Sequence, residues 1–171
     1  MIFRTAIAIL LLLACAQAVP QARAAGPPDR EVDDVLTCAE SLFKAQEARR
    51  YGEIWQFLTV KTKKSIVEAV YERSKRAGGE MDKKGIASDF AAGGTIARAY
   101  WDGYLLVFKP GMVLDESRWT IGGIKKDKAE ILILHRKSER PAVLQLFRED
   151  GTWKVGLDET FGARDLLANF P

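Results

Sequence analysis

Apolar residues recur at helical spacing between Glu31 and Arg50, where Val32, Val35, Leu36, Ala39, Leu42 and Phe43 share one stripe. Asp29, Glu31, Asp33 and Asp34 stand at the start of this segment and Arg49-Arg50 near its end, the distribution a helix dipole favours. The pattern predicts a helix over 31–50, a break at Gly52, and a short apolar turn from Ile54 to Leu58. A second helix, capped by Thr59 or Thr62, is predicted to run to Arg76 and bury Ile66, Val67, Val70 and Tyr71. Gly78-Gly79 ends it. From Lys83 to Gly111, the residues Ile86, Phe90, Ile96, Tyr100, Gly103 and Val107 fit helical faces interrupted at Gly93-Gly94, and Pro110-Gly111 reads as a closing turn.

The period then changes from that of a helix to that of a strand. Ser117 to Ile124, Lys128 to Lys137, Ala142 to Glu149 and Thr152 to Asp158 are each strand-like, separated by turn-forming residues. Asp150-Gly151 between apolar runs is a strong hairpin signal. Trp153, Val155 and Leu157 alternate with Lys154, Gly156 and Asp158, giving one buried and one wetter face. Four strands at this spacing make a meander, and three helices are expected to cover one face of it. A last segment, Phe161 to Phe170, is expected at the sheet edge. Helices first and an antiparallel sheet afterwards define an α+β domain, assigned to residues 31–171.

The segment ahead of that domain reads as an export signal. Arg4 precedes the apolar run Ala6 to Ala14, and Ala16-Gln17-Ala18 forms a cleavage site, so 1–18 is read as a leader and 19–30 as a flexible linker. Two other cuts compete: before Cys15, which would make Cys15 a lipidated first residue, and after Ala24. The run is too short to span a bilayer comfortably. The expected location is therefore periplasmic or extracellular, with membrane attachment only if Cys15 is acylated. The remaining cysteine, Cys38, falls with Val35 and Leu42 on the helical stripe and reads as a small core residue, so no intramolecular disulfide is expected.

Charge narrows the partners. The formal net charge is +3, and removing Arg4 and Arg23 of the leader region leaves about +1, which gives no general attraction for nucleic acid. Between Lys61 and Lys84 there are eight basic and four acidic residues, a solvated face or a contact for an anionic surface or acidic partner. Only Tyr71 interleaves with these charges, so no stacking platform for single strands is formed. One histidine, one remaining cysteine and scattered carboxylates match no metal-ligand spacing, and no cofactor is expected.

The element order is similar to that of the nuclear transport factor 2-like superfamily, a cystatin-like cone of curved sheet wrapped around helices. The residues that carry the resemblance are Ala45 to Tyr51, then Ile54-Trp55-Gln56-Phe57-Leu58-Thr59, and the closing run Leu146 to Val155. The stretch from Gly78 to Met112 departs from the pattern as an enlarged helical middle section. The resemblance implies a domain whose relatives include isomerases, dehydratases, non-catalytic binding domains and small exported proteins. Its enzymes place an acidic residue or an Asp/His pair inside the cone. Here the sole histidine, His135, ends the strand Ile131 to His135, where alternation puts it on the face of Ile131 and Ile133. With Asp102 or Asp89 it would suit acid/base work; alone it is a structural strand-end residue. Phe90, Tyr100, Trp101, Tyr104 and Trp119 are the candidates to line an apolar cavity of about 300 Å³ or more, with ordinary core packing as their other reading. The expected function is non-enzymatic binding of a small hydrophobic ligand or an envelope protein. A His135-dependent isomerase or dehydratase and a module dimerising through its open sheet are the alternatives.

Overall fold

A computed structural model describes residues 29–162; the predicted leader with Cys15, and 163–171 with most of the expected edge segment, lie outside the described residues. Helix α1 (Asp29–Glu47) begins inside the expected linker and buries Val35, Cys38, Ala39, Leu42 and Phe43 along its apolar stripe. It stops short of Arg50 because Arg49 adopts a left-handed backbone (φ 53°) that no helix continues through. Helix α2 (Tyr51–Phe57) replaces the predicted turn and buries Ile54 and Trp55. Seven residues are too few for a helical period to declare itself in the sequence.

Helix α3 (Val60–Arg76) starts at Thr59, whose hydroxyl accepts the Thr62 backbone N–H at 3.1 Å. Thr59 is therefore the cap and Thr62 its partner. Helices α4 (Lys83–Ala92) and α5 (Thr95–Val107) flank the predicted break, where Gly93 takes φ 66°. Pro110 and Gly111 open α6 (Pro110–Asp115) instead of closing a turn. Proline suits the first helical position, since its fixed φ is helical and the missing N–H has no helical acceptor there.

The sheet follows as β1 (Ser117–Lys125), β2 (Lys128–His135), β3 (Ala142–Glu149) and β4 (Thr152–Val155), joined in that order as an open antiparallel meander. A bulge between Ile121 and Gly123 shifts the β1–β2 register by one residue. The last strand is shorter than predicted, because the chain turns into α7 (Leu157–Phe161), where the Asp158 N–H is taken by the Thr62 hydroxyl.

Six helices, not three, precede the sheet among the described residues. Alternation sends Trp119, Ile131, Ile133, Leu144, Leu146 and Val155 toward one face, where α1 and α6 lie against the sheet. Helices α3, α4 and α5 form a further layer packed on α2 and on one another. Arg148 ties the layers together: it pairs with Glu31 of α1 and lies 4.6 Å over the Trp153 ring.

Candidate functional site

The aromatic residues of the helical layer form a continuous run of ring contacts. Trp55 stacks on Phe90 at 4.9 Å; Phe90 meets Tyr100, Tyr100 meets Trp101, and Trp101 meets Tyr104, each edge to face at 5.0–5.5 Å. Phe90 is fully buried and Trp101 is 1% exposed. Burial pushes the Tyr100 and Tyr104 hydroxyls well above the usual phenol range. Of the five predicted pocket residues, Phe90, Trp101 and Tyr104 are thus enclosed by other rings. Tyr100 borders a groove of about 410 Å³ with Val70, Met81, Ile86 and Ile96, while Trp119 borders a separate hollow of about 290 Å³ beside Leu36 and Leu114. The five do not converge on one space. Aromatic side chains pack edge to face as readily as they line cavities, so a dense aromatic sequence does not separate the two outcomes.

A different space opens where α5 and α6 meet the ends of β1, β2 and β3. It is a cleft of about 430 Å³ whose apolar wall is Val107, Phe108, Met112, Val113, Ile133 and Ala142. Lys109, Ser117, His135, Ser138 and Arg140 supply the polar part of its lining. Phe108 is the boundary with the packed interior, its ring lying 5.1 Å from Tyr104 and 5.9 Å from Phe43. Val107 and Met112 are 58% and 42% exposed, so the apolar wall continues to the surface. The volume lies within the range typical of small-ligand sites, and a mainly apolar wall with a few convergent polar groups is their usual composition.

His135 reaches this cleft from the end of β2, on the face that alternation predicts. Its carboxylate neighbour is neither Asp102 nor Asp89. The Asp102 carboxylate accepts hydrogen bonds from Arg49 and the Tyr51 hydroxyl, both at 2.6 Å, which ties the end of α1 and α2 to α5. Asp89 accepts the Ala97 N–H at 2.8 Å and so holds the start of α5. The acid beside His135 is Glu116, 3.3 Å from Nε2, and the same Glu116 oxygen pairs with Arg136 at 3.0 Å. On the other side of the ring, Nδ1 accepts the Lys137 N–H at 3.2 Å. That pattern assigns the proton to Nε2, donating to Glu116, and leaves neither ring nitrogen free.

Glu116 was missed in the sequence, although the hairpin holds a signal for it. Counting back from the turn between Lys125 and Lys128 brings the start of β1 opposite His135; the bulge at Gly122-Gly123 then decides that Ser117 is the partner and Glu116 lies just beyond. Other buried polar groups stand apart from the cleft. The Cys38 thiol donates to the Trp153 carbonyl at 3.1 Å, and burial raises its pKa to about 11. The Gln46 amide and the Trp101 indole N–H are buried without a hydrogen-bond partner among the described residues. The basic stretch is a laced surface: Lys83 pairs with Glu68 and lies 4.8 Å over Tyr71, and Lys61 pairs with Asp158.

Among the described residues, no three His, Cys, Asp or Glu side chains are grouped to hold a metal ion. No helix among them is long and apolar enough to cross a membrane. Comparisons with protein-family models, curated proteins and solved structures give no significant match, which leaves the geometry of the cleft as the ground for a functional reading.

Proposed function

We propose that this is an exported, non-enzymatic binding domain of the nuclear transport factor 2-like kind, and that it holds a small apolar ligand in the cleft between α5, α6 and the sheet. The observation that carries the reading is the cleft itself: about 430 Å³, walled largely by Phe108, Met112, Val113 and Ile133, with a few polar groups among its lining. The cone assignment rests on the element order and on an open antiparallel sheet covered by helices on one face. Export rests on the sequence of the leader, and lipidation at Cys15 is the route by which the domain would be held at a membrane.

The hydrogen bonds of His135 favour binding over catalysis. A general base needs a free nitrogen facing the proton it removes, and both nitrogens here are engaged by the protein itself. Ligand binding is tested by incubating the purified chain with a mixture of small hydrophobic compounds and identifying what co-purifies on native mass spectrometry. Binding abolished by Met112→Glu supports the reading; binding indifferent to that change opposes it.

One observation favours a second reading. The 3.3 Å contact of His135 with Glu116 is an acid/base pair beside an apolar cleft, the arrangement an isomerase or dehydratase would use. It predicts turnover that depends on both residues, lost by more than about a hundredfold in either His135→Gln or Glu116→Gln. A third reading, dimerisation, draws on Leu132, Leu134 and Val143, which share the outer face of the sheet; Val143 is 40% exposed. It predicts a concentration-dependent dimer disrupted by Val143→Lys. An envelope protein partner would use the same face.

A further inference from the structure

We infer that the ligand of this cleft is a single-chain amphiphile with an anionic head, a carboxylate or a phosphate on a medium-length hydrocarbon chain. The inference rests on the binding reading above and adds the chemistry of the ligand. Three observations lead to it. The first is the composition of the lining: Phe108, Met112, Val113 and Ile133 offer no charge, and the exposed Lys109 and Arg140 border the same space. A ligand matching that division has an apolar body and one charged end.

The second observation is the sign of the charge in that lining. The residues lining the cleft include two cations and a histidine and no carboxylate. Three acids lie close in sequence, and Asp115, between the lining residues Val113 and Ser117, is exposed. Glu116 is neutralised locally, since Arg136 and His135 share its oxygen. Glu139 precedes Arg140 in the β2–β3 turn and is exposed. Neither Lys109 nor Arg140 makes an ion pair with a described residue, in contrast to Arg136 and Arg148. Both are exposed. Two uncommitted cations beside an apolar wall are complementary to an anion that arrives attached to a hydrocarbon.

The third observation is the shape of the opening. Val107 and Met112 extend the wall to solvent, and the neighbouring Leu106 is 76% exposed. An apolar lip on a cleft bordered by exposed cations lets a chain slide in from its tail while the head stays at the surface. His135 contacts Glu116 at 3.3 Å, and Arg136 pairs with the same carboxylate oxygen, so that carboxylate is already engaged by the protein. The groove beside Tyr100 differs in carrying a single cation, Arg73, beside its wall of Val70, Met81, Ile86 and Ile96.

The test compares three probes of equal chain length against the folded chain by isothermal titration calorimetry: decanoate, decanol and decyltrimethylammonium. Decanoate is expected to bind at least about tenfold more tightly than decanol, and the cationic probe more weakly than either. In a Lys109→Gln/Arg140→Gln double variant the preference for decanoate should vanish while decanol affinity stays the same. Both residues are exposed, so the fold should be unaffected, and circular dichroism checks it. Equal affinity for decanoate and decanol in the native chain overturns the anionic head and leaves the cleft reading standing. Failure of all three probes, or binding unchanged by Met112→Glu, overturns the cleft reading together with it. A final arm uses vesicles of anionic phospholipid: binding to vesicles without binding to decanoate makes the lip a membrane contact and refutes a single-chain ligand.

Discussion

The aromatic run from Trp55 to Tyr104 and the cleft beyond Phe108 are both apolar regions beside α5, and they end in opposite states. Each ring in the run meets a neighbour stacked or edge to face at about 5 Å, and Trp101 and Phe90 are sealed from solvent. Phe108 meets Tyr104 and Phe43 on its inner side and borders open space on the other. The difference lies in the backbone. Within α5, residues one, three and four positions apart lie on adjoining faces, so Tyr100, Trp101 and Tyr104 are delivered to one another. At Phe108 the helix has ended, α6 sets off in a new direction, and β1, β2 and β3 stop nearby. Cavities belong to such junctions, where no regular element supplies the next side chain.

The largest test of this contrast is a pair of truncations. Trp101→Ala should cost about 3–5 kcal/mol, whereas Met112→Ala should cost under about 1 kcal/mol. Urea denaturation of both measures the gap. Equal costs would mean that the two regions are packed alike.

A smaller effect probes the interior through pH. The Cys38 pKa is raised to about 11 by burial, above its unfolded value near 9. Below pH 9 the thiol is protonated in both states and contributes no difference. As pH rises from 9 toward 11 the unfolded chain ionises first, so stability falls by roughly 2 kcal/mol across that window. Tyr100 and Tyr104, raised by burial as well, add to the loss at still higher pH. The decline should be shallower in Cys38→Ala, followed by urea midpoints at pH 8, 9 and 10. Thiol labelling of the native chain at neutral pH should be slow and become fast on unfolding.

Phe108 sharpens the comparison because it belongs to both regions. Phe108→Ala should cost about 2 kcal/mol, between the values for Trp101 and Met112, since the ring is only half-buried. It should also widen the cleft and shift the preferred probe toward longer chains. A smaller effect than that is expected of Glu116→Gln, about 1 kcal/mol in stability, because Arg136 is exposed, the His135 contact is partly solvated, and the amide oxygen can still accept from His135. A loss of several kcal/mol there would make the cluster a structural clamp.

Much of the fold is legible in the chain because its cues are local. The stripe Val35 to Phe43, the Thr59 cap, the break at Gly93 and the four strands each follow from a few adjacent residues. What stayed hidden depends on distance. Helix α2 is too short to display a period, and the return of the chain into α7 depends on Thr62 receiving the Asp158 N–H from the far end of the domain. The site followed the same rule. Alternation gave the face of His135, but its partner needed the one-residue bulge in β1, and the aromatic cluster gave no hint that its rings satisfy one another.

Met81 and Met112 offer a matched pair for the decisive measurement, one at the mouth of the Tyr100 groove and one at the mouth of the Phe108 cleft, 45% and 42% exposed. Anilinonaphthalene sulfonate is titrated by fluorescence into the native chain and into Met81→Glu and Met112→Glu. The account predicts saturable binding to the native chain, retained in Met81→Glu and weakened at least about tenfold in Met112→Glu. Binding lost in Met81→Glu and kept in Met112→Glu would contradict it.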